Sequence, residues 1–278
     1  NGLLLNLTPD ELAQVIERLP DAQVAFDEEQ LDNYEIGHKG TWFDNRLRTT
    51  TALYYMKWSQ GQVTNTALDI ARADGTTFGV VVTGNQGTVD LKGVEFEADF
   101  AATDQLTIAA TLQYQENTVK QFNYNPDGLK INNSLDVEGN MLDQAPQWTW
   151  TISPDYTNDL NETWEWFARL DYKHRGKMFI DTANVAWLEA RDVFNLRTGL
   201  YNQEQGLRLE FYVNNLFDDD SLVSAIRGND SVYGPSTPCP PGYTSALPPT
   251  TRGGSVLNEI RIGLPEKRTF GVRASLSF

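Results

Sequence analysis

Few residues in this 278-residue chain are of types that do chemistry. It has two histidines, His38 and His174, and one cysteine, Cys239. A lone cysteine closes no intrachain disulfide. In its Pro-Cys-Pro-Pro-Gly setting Cys239 reads as an exposed thiol, or as the partner of a cysteine in a longer chain. No zinc spacing, phosphate loop or dinucleotide fingerprint is present. Asp218-Asp219-Asp220 offers the oxygen ligands calcium prefers, but such a run more often opens a solvated loop. Glu95, Glu97 and Asp99 alternate along the chain and so share one face of a strand. They suit proton relay or, more simply, a wet surface. His174 would need a serine beside it to hydrolyse an ester, and no serine is evidently placed there. No catalytic residue, metal ligand or cofactor is therefore expected.

Charge narrows the classes further. There are 22 basic and 38 acidic residues, a formal net charge of -16. Nothing in that balance neutralises a run of phosphates, which argues against nucleic acid and against a polybasic membrane-surface protein. No apolar run approaches the roughly 18 residues of a spanning helix. The first residue, Asn1, follows no methionine or signal peptide, and a piece of a longer chain is expected.

The elements that position these residues are mostly strands. Thr8-Pro9-Asp10-Glu11 opens the one convincing helix, over about 9–19. Thr8 and Glu11 form a capping box and Pro9 takes the first helical position. The last twelve residues, Lys267 to Phe278, alternate strictly. Phe270, Val272, Ala274, Leu276 and Phe278 take one parity, and Thr269, Gly271, Arg273, Ser275 and Ser277 the other. The same period of two recurs at 93–100, 106–114, 148–156, 164–175, 194–201 and 207–217, after two earlier strands at 33–42 and 47–58. Connections at 43–46, 102–105, 157–163 and 202–205 are short, and most of those between them are long. Aromatic residues mark strand ends: Tyr34, Trp42, Trp58, Tyr114, Trp148, Trp164 and Tyr172.

Alternating parity, alternating short and long connections and aromatic girdles predict an antiparallel transmembrane β-barrel, all-β, with the apolar parity in lipid. Every short turn then falls on the periplasmic side. The other parity is the candidate lumen lining: Glu95, Glu97, Asp99, Arg169, Asp171, Lys173, Arg208, Glu210 and Arg273. Loop residues Arg227, Tyr233, Tyr243 and Arg252 are candidate cargo contacts. About nine strands are predicted, an odd number that does not close alone. Bare sheet edges are not viable in lipid, so the set is expected to be the carboxyl-terminal part of a larger barrel. Residues 1–30 are expected as an extracellular loop with the helix, and 31–278 as barrel with long loops at about 59–86, 117–144 and 218–262.

Four stretches together resemble the TonB-dependent outer-membrane receptor family. They are LDNYEIGHKGTW with NRLRTTTALYYMKW, KGVEFEADFAATDQLTIAATLQY, FYVNNLFDDD, and the closing LPEKRTFGVRASLSF. The resemblance implies a 22-stranded barrel with an amino-terminal plug, in the outer membrane of a Gram-negative bacterium. It implies import of a scarce small-molecule nutrient, most commonly a ferric siderophore, energised by the TonB complex through the plug. It also implies an assembly signal in Phe270, Val272, Leu276 and Phe278, read by the barrel-assembly machinery. The plug and the remaining strands are the partners such a piece requires, along with outer-membrane lipid. His38 departs from the pattern, since it takes a lipid parity near the periplasmic end. The rival readings are a passive porin-like barrel subunit, an outer-membrane barrel hydrolase built on His174, and a soluble β-sandwich binding module.

Overall fold

The computed structural model describes residues 8–18, 27–73, 77–122, 136–228 and 259–277. Its centre is one antiparallel sheet of nine strands. In chain order the elements are α1 (Pro9–Arg18), β1 (Gln30–Trp42), β2 (Leu47–Ala71), β3 (Thr77–Ala101), β4 (Leu106–Phe122), β5 (Trp148–Asp159) and β6 (Trp164–Arg175). There follow β7 (Met178–Phe179), β8 (Trp187–Leu188), β9 (Arg191–Asn202), β10 (Leu207–Asn214), β11 (Ser224–Gly228), β12 (Glu259–Gly263) and β13 (Thr269–Leu276). The sheet runs β1-β2-β3-β4-β5-β6-β9-β10-β13, and β7-β8 and β11-β12 are small hairpins in the connections. This is the nine-strand barrel wall expected, open along β1 and β13.

The short turns lie at one end, where expected. The first, Phe43 to Arg46, holds three consecutive left-handed residues, Phe43, Asp44 and Asn45 (φ 54°, 52° and 70°). Its Arg46 amide donates to the Phe43 carbonyl at 3.1 Å. Asp and Asn tolerate this region best after glycine. In the turn at Gln203–Gly206, Gly206 has φ +62°, and a Cβ there would stand 2.7 Å from the Ser277 carbonyl oxygen.

The long-loop end differs from expectation at 59–86. That stretch is no irregular loop: β2 and β3 stay paired from Leu47–Phe100 out to Ala71–Thr77, with register shifts between Ser59 and Gln62 and between Asn65 and Leu68. Each strand has 25 residues, whereas roughly ten suffice to cross a membrane. The outer half therefore stands beyond the lipid as a β-hairpin. The sequence of that half carries no period-two apolar signal of the kind that marks a membrane strand. A bulge at Ser59–Gln62 separates the two halves. Asn85 stitches it, its amide donating to the carbonyls of Gln60 (2.7 Å) and Asp27 (2.9 Å). Helix α1 has the expected capping box, with Thr8 N donating to Glu11 Oε2 (2.8 Å) and Glu11 N to Thr8 Oγ1 (3.3 Å). Gln14 docks it on the hairpin, donating to and accepting from the Ala71 backbone at 2.9 Å each way.

The apolar parity forms one continuous outer face carrying Ile36, Leu53, Phe100, Ile152, Leu209, Phe211, Phe270 and Val272, all exposed. Two rims bound it. At the short-turn end Trp42 Nε1 donates to Thr49 Oγ1 and Trp166 Nε1 to Thr198 Oγ1, both at 3.0 Å, so each indole keeps a partner at the apolar boundary. At the other end Trp150 stacks on His174 (3.6 Å, 8°) and Tyr172 on Phe194 (4.4 Å, 7°). From Trp164 to His174 the chain climbs about 34 Å, or roughly 25 Å of depth at a 40° tilt, which matches the apolar band of an outer-membrane barrel.

Candidate functional site: the inner wall and the loop cap

The second parity faces the other way and is held together by charge. Strand β6 places Arg169 and Asp171 on it two residues apart, opposite β5. Arg169 Nε lies 2.9 Å from Asp171 Oδ1 and its Nη1 3.3 Å from Asp155 Oδ2. Ser153 Oγ donates to the same Asp171 oxygen at 2.8 Å. Further round, Glu210 is buried between two arginines, with Arg208 Nη2 on one oxygen and Arg273 Nη1 on the other, each at 3.2 Å. Arg208 also lies over the Phe167 ring, 3.6 Å from its centroid. That ring covers Gly199, its register partner. A Cβ at 199 would strike the ring and the Leu209 carbonyl oxygen. The close approach of Phe167 is thus a reason for glycine here.

Of the residues expected on this wall, the structure brings Arg169 and Asp171 into one network and Arg208, Glu210 and Arg273 into another. Lys173 is exposed at the outer end of β6 and forms no ion pair with a described residue. Glu95, Glu97 and Asp99 are exposed along β3 and form no ion pair with a described residue. Arg48 is the register partner of Asp99. Asp99, Asp155 and Arg169, with Asp104 and Thr107, line a recess of ≈ 320 Å³ near the short turns.

At the long-loop end three connections pack into a cap. Met178, Ile180, Leu188 and Ala225 form a buried apolar cluster. Asp181, buried beneath them, accepts from the amides of Val185 (3.1 Å) and Ala186 (3.2 Å) and from Arg227 Nε (2.9 Å). Arg227, expected as a cargo contact, thus has its Nε engaged in a largely buried ion pair within the protein. Asn184 ties the connection after β6 to the one before β5: its Oδ1 accepts from Met141 N (2.8 Å) and its Nδ2 donates to Met141 O (2.9 Å). Gln144 Nε2 donates to the Ala225 carbonyl at 2.7 Å, joining the third. In the same cap, burial pushes the Asp143 carboxyl above its ordinary range, with the nearby negative charge of Asp181 adding to the shift. Asp181, Asn184 and Gln144 escaped sequence reading. Each joins segments dozens of residues apart, and no local periodicity marks such a position.

The other expected residues are placed as follows. Phe270, Val272 and Leu276 lie exposed on the edge strand β13. Tyr233, Tyr243, Arg252, Phe278 and Cys239 fall outside the described residues. His174 has an acidic partner, its Nδ1 lying 2.7 Å from Asp192 Oδ1, and Tyr172 donates to the same oxygen at 2.8 Å. Among the described residues no serine hydrogen-bonds to it. The pair lies in the outer aromatic rim.

This fold and this division of faces match known proteins. The profile of the TonB dependent receptor-like β-barrel family matches residues 17–216. The chain belongs to that family, whose members are receptors and transporters of the Gram-negative outer membrane. Among solved structures it is similar to the ferric yersiniabactin uptake receptor FyuA of Yersinia pestis (17% identity, TM-score 0.63, 91% of this chain and 30% of that one). It is also similar to the siderophore receptor PiuA of Acinetobacter baumannii (18%, 0.58, 90% and 28%). A third is the ferric-catecholate import receptor Fiu of E. coli K12 (20%, 0.56, 90% and 27%). The chain thus spans less than a third of the length of each.

Proposed function

We propose that this chain supplies part of the barrel wall of a TonB-energised outer-membrane receptor that imports a ferric siderophore. The observation that carries the reading is the division of one sheet into an apolar face with two aromatic rims and a polar face laced with ion pairs. An apolar outside anchors the wall in lipid, and a charged inside suits a wet lumen through which polar cargo passes. The packed cap over the long-loop end gives cargo an ordered surface to meet first. The lumen carboxylates of β3 would pair with basic groups of a plug, and β13, with Phe278, would guide assembly. The likeness to FyuA, PiuA and Fiu, receptors for ferric yersiniabactin, a siderophore and ferric catecholates, favours iron complexes over other cargo.

The test is uptake of radiolabelled iron by iron-starved cells that produce the complete protein, over a panel of siderophores. Accumulation that requires both the protein and the proton-motive force is expected. Uptake that persists after the proton-motive force is collapsed would mean a passive channel instead.

A further inference from the structure

The hairpin β11–β12 belongs to the long-loop end, and β12 runs through residues 264–268 into the edge strand β13. Its two strands are antiparallel, so register partners point to the same side of the hairpin. Ala225 pairs with Ile262 and Arg227 with Ile260, and these four share one face. The β11 half of that face is covered. Ala225 is 2% exposed within the apolar cluster of the cap, and Arg227 reaches the buried Asp181. The β12 half is bare: Ile260 and Ile262 are 45% and 51% exposed, and Leu264, where the chain leaves the strand, 73%. One face of a small sheet is thus core under one strand and open under its neighbour. Apolar surface left in such a position marks a contact with something else.

What comes next to β12 follows from the direction of the wall's two edges. Strand β1 runs from Gln30 at the long-loop end down to Trp42 at the first short turn. Strand β13 also runs downward, from Thr269 beside Asn214 to Leu276 beside Leu207. Two strands that run the same way cannot close an antiparallel barrel against each other, and bare edges are not viable in lipid. The strand that pairs with the open edge of β13 therefore rises from the short-turn end to the long-loop end. It emerges beside residues 264–268, next to β12, and its outer connection begins there. The chain spans less than a third of the length of FyuA, PiuA or Fiu, so relatives of this fold have the chain length to supply that strand and its connection.

We propose that the outer connection of the strand paired with β13 docks on Ile260 and Ile262 and clasps the barrel seam from outside, an inference that rests on the reading of this chain as part of a larger wall. The connection extends the apolar cluster of the cap across β12. Removing the two isoleucines from water drives the docking.

The test is hydrogen exchange of the complete protein, folded in detergent micelles and read by mass spectrometry. The peptides followed are 259–263, 269–276 and the outer connection of the strand paired with β13. Slow exchange is expected in all three. Ile260→Ser with Ile262→Ser should speed exchange of 259–263 and of that connection together, by about tenfold. Ile226→Ser, on the opposite face of the hairpin as the register partner of Arg261, should leave the connection unchanged. Fast exchange of 259–263 or of the connection in the wild-type protein overturns the proposal. So does acceleration in the double variant confined to the hairpin and residues 229–258, which would mean that this connection covers the face. Loss of a dimer in the double variant, seen by light scattering, would mean a second copy of the chain as occupant and overturns it too. Exchange along 269–276 keeps the two readings apart. Protection there without the linked response refutes the clasp and leaves the wall. Fast exchange there refutes the wall, and the clasp with it.

Discussion

The inner wall has two unlike stretches. From β5 round to β13 three carboxylates of the wall are answered from within the sheet: Asp171 and Asp155 by Arg169, and Glu210 by Arg208 and Arg273. Along β3, Glu95, Glu97 and Asp99 stand on the same parity, exposed and without an ion pair to any described residue. Both stretches read alike in sequence, as carboxylates alternating with apolar residues. The difference shows that one stretch is completed by its neighbours, whereas the other presents its charge to whatever fills the lumen. Buried carboxylates must be paired, and exposed ones need not be.

Substitutions should separate the two. Gly199→Ala is expected to cost most, about 3 kcal/mol, because the new methyl group collides with the Leu209 carbonyl and displaces Phe167 from beneath Arg208. Glu210→Gln should cost about 2 kcal/mol, since two arginines lose their shared anion, an effect reduced by the exposure of both guanidinium groups. Glu95→Gln and Glu97→Gln should each change stability by less than about 0.5 kcal/mol. The temperature at which the folded protein loses its compact electrophoretic mobility measures all four. If the β3 variants fell as far as Glu210→Gln, the contrast would collapse.

The smallest expected effect is conditional on pH and concerns the cap. Asp143 is a partly buried carboxyl with no ion pair to a described residue, and burial holds its folded-state pKa above its unfolded value. Its protonated form is the one the fold favours, so its contribution is full below the unfolded pKa and is lost as pH rises through the folded one. Asp143→Asn should therefore slow hydrogen exchange at the linked Met141 amide at neutral pH, with the advantage vanishing in acid. An advantage that persisted undiminished in acid would show that the effect comes from packing.

How much was legible in the sequence follows from which faces meet lipid. The strands at 93–100, 106–114 and 164–175 were readable because each sets an apolar parity against a polar one, and the capping box at Thr8 was readable because it is complete within four residues. The outer half of the β2–β3 hairpin reads as loop because its sequence lacks the period of two, while its pairing is a matter of backbone register. The connection over 176–190, with its own small hairpin, carries no sequence signal, for it packs through Asp181 and Asn184 rather than through any repeat.

The sequence by itself determined the strand parity, the short turns and the sign of charge on each face, because these depend on neighbours one or two residues away along the chain. Only the tertiary structure decided which charges are paired. Arg208 reaches Glu210 from two residues away, but Arg273 reaches it from 63 residues on, through the pairing of β10 with β13. The same holds for Arg227, whose apparent freedom in a polar loop ends in a buried ion pair with Asp181. Strand register brings distant side chains within hydrogen-bond range, and register is a property of the assembled sheet.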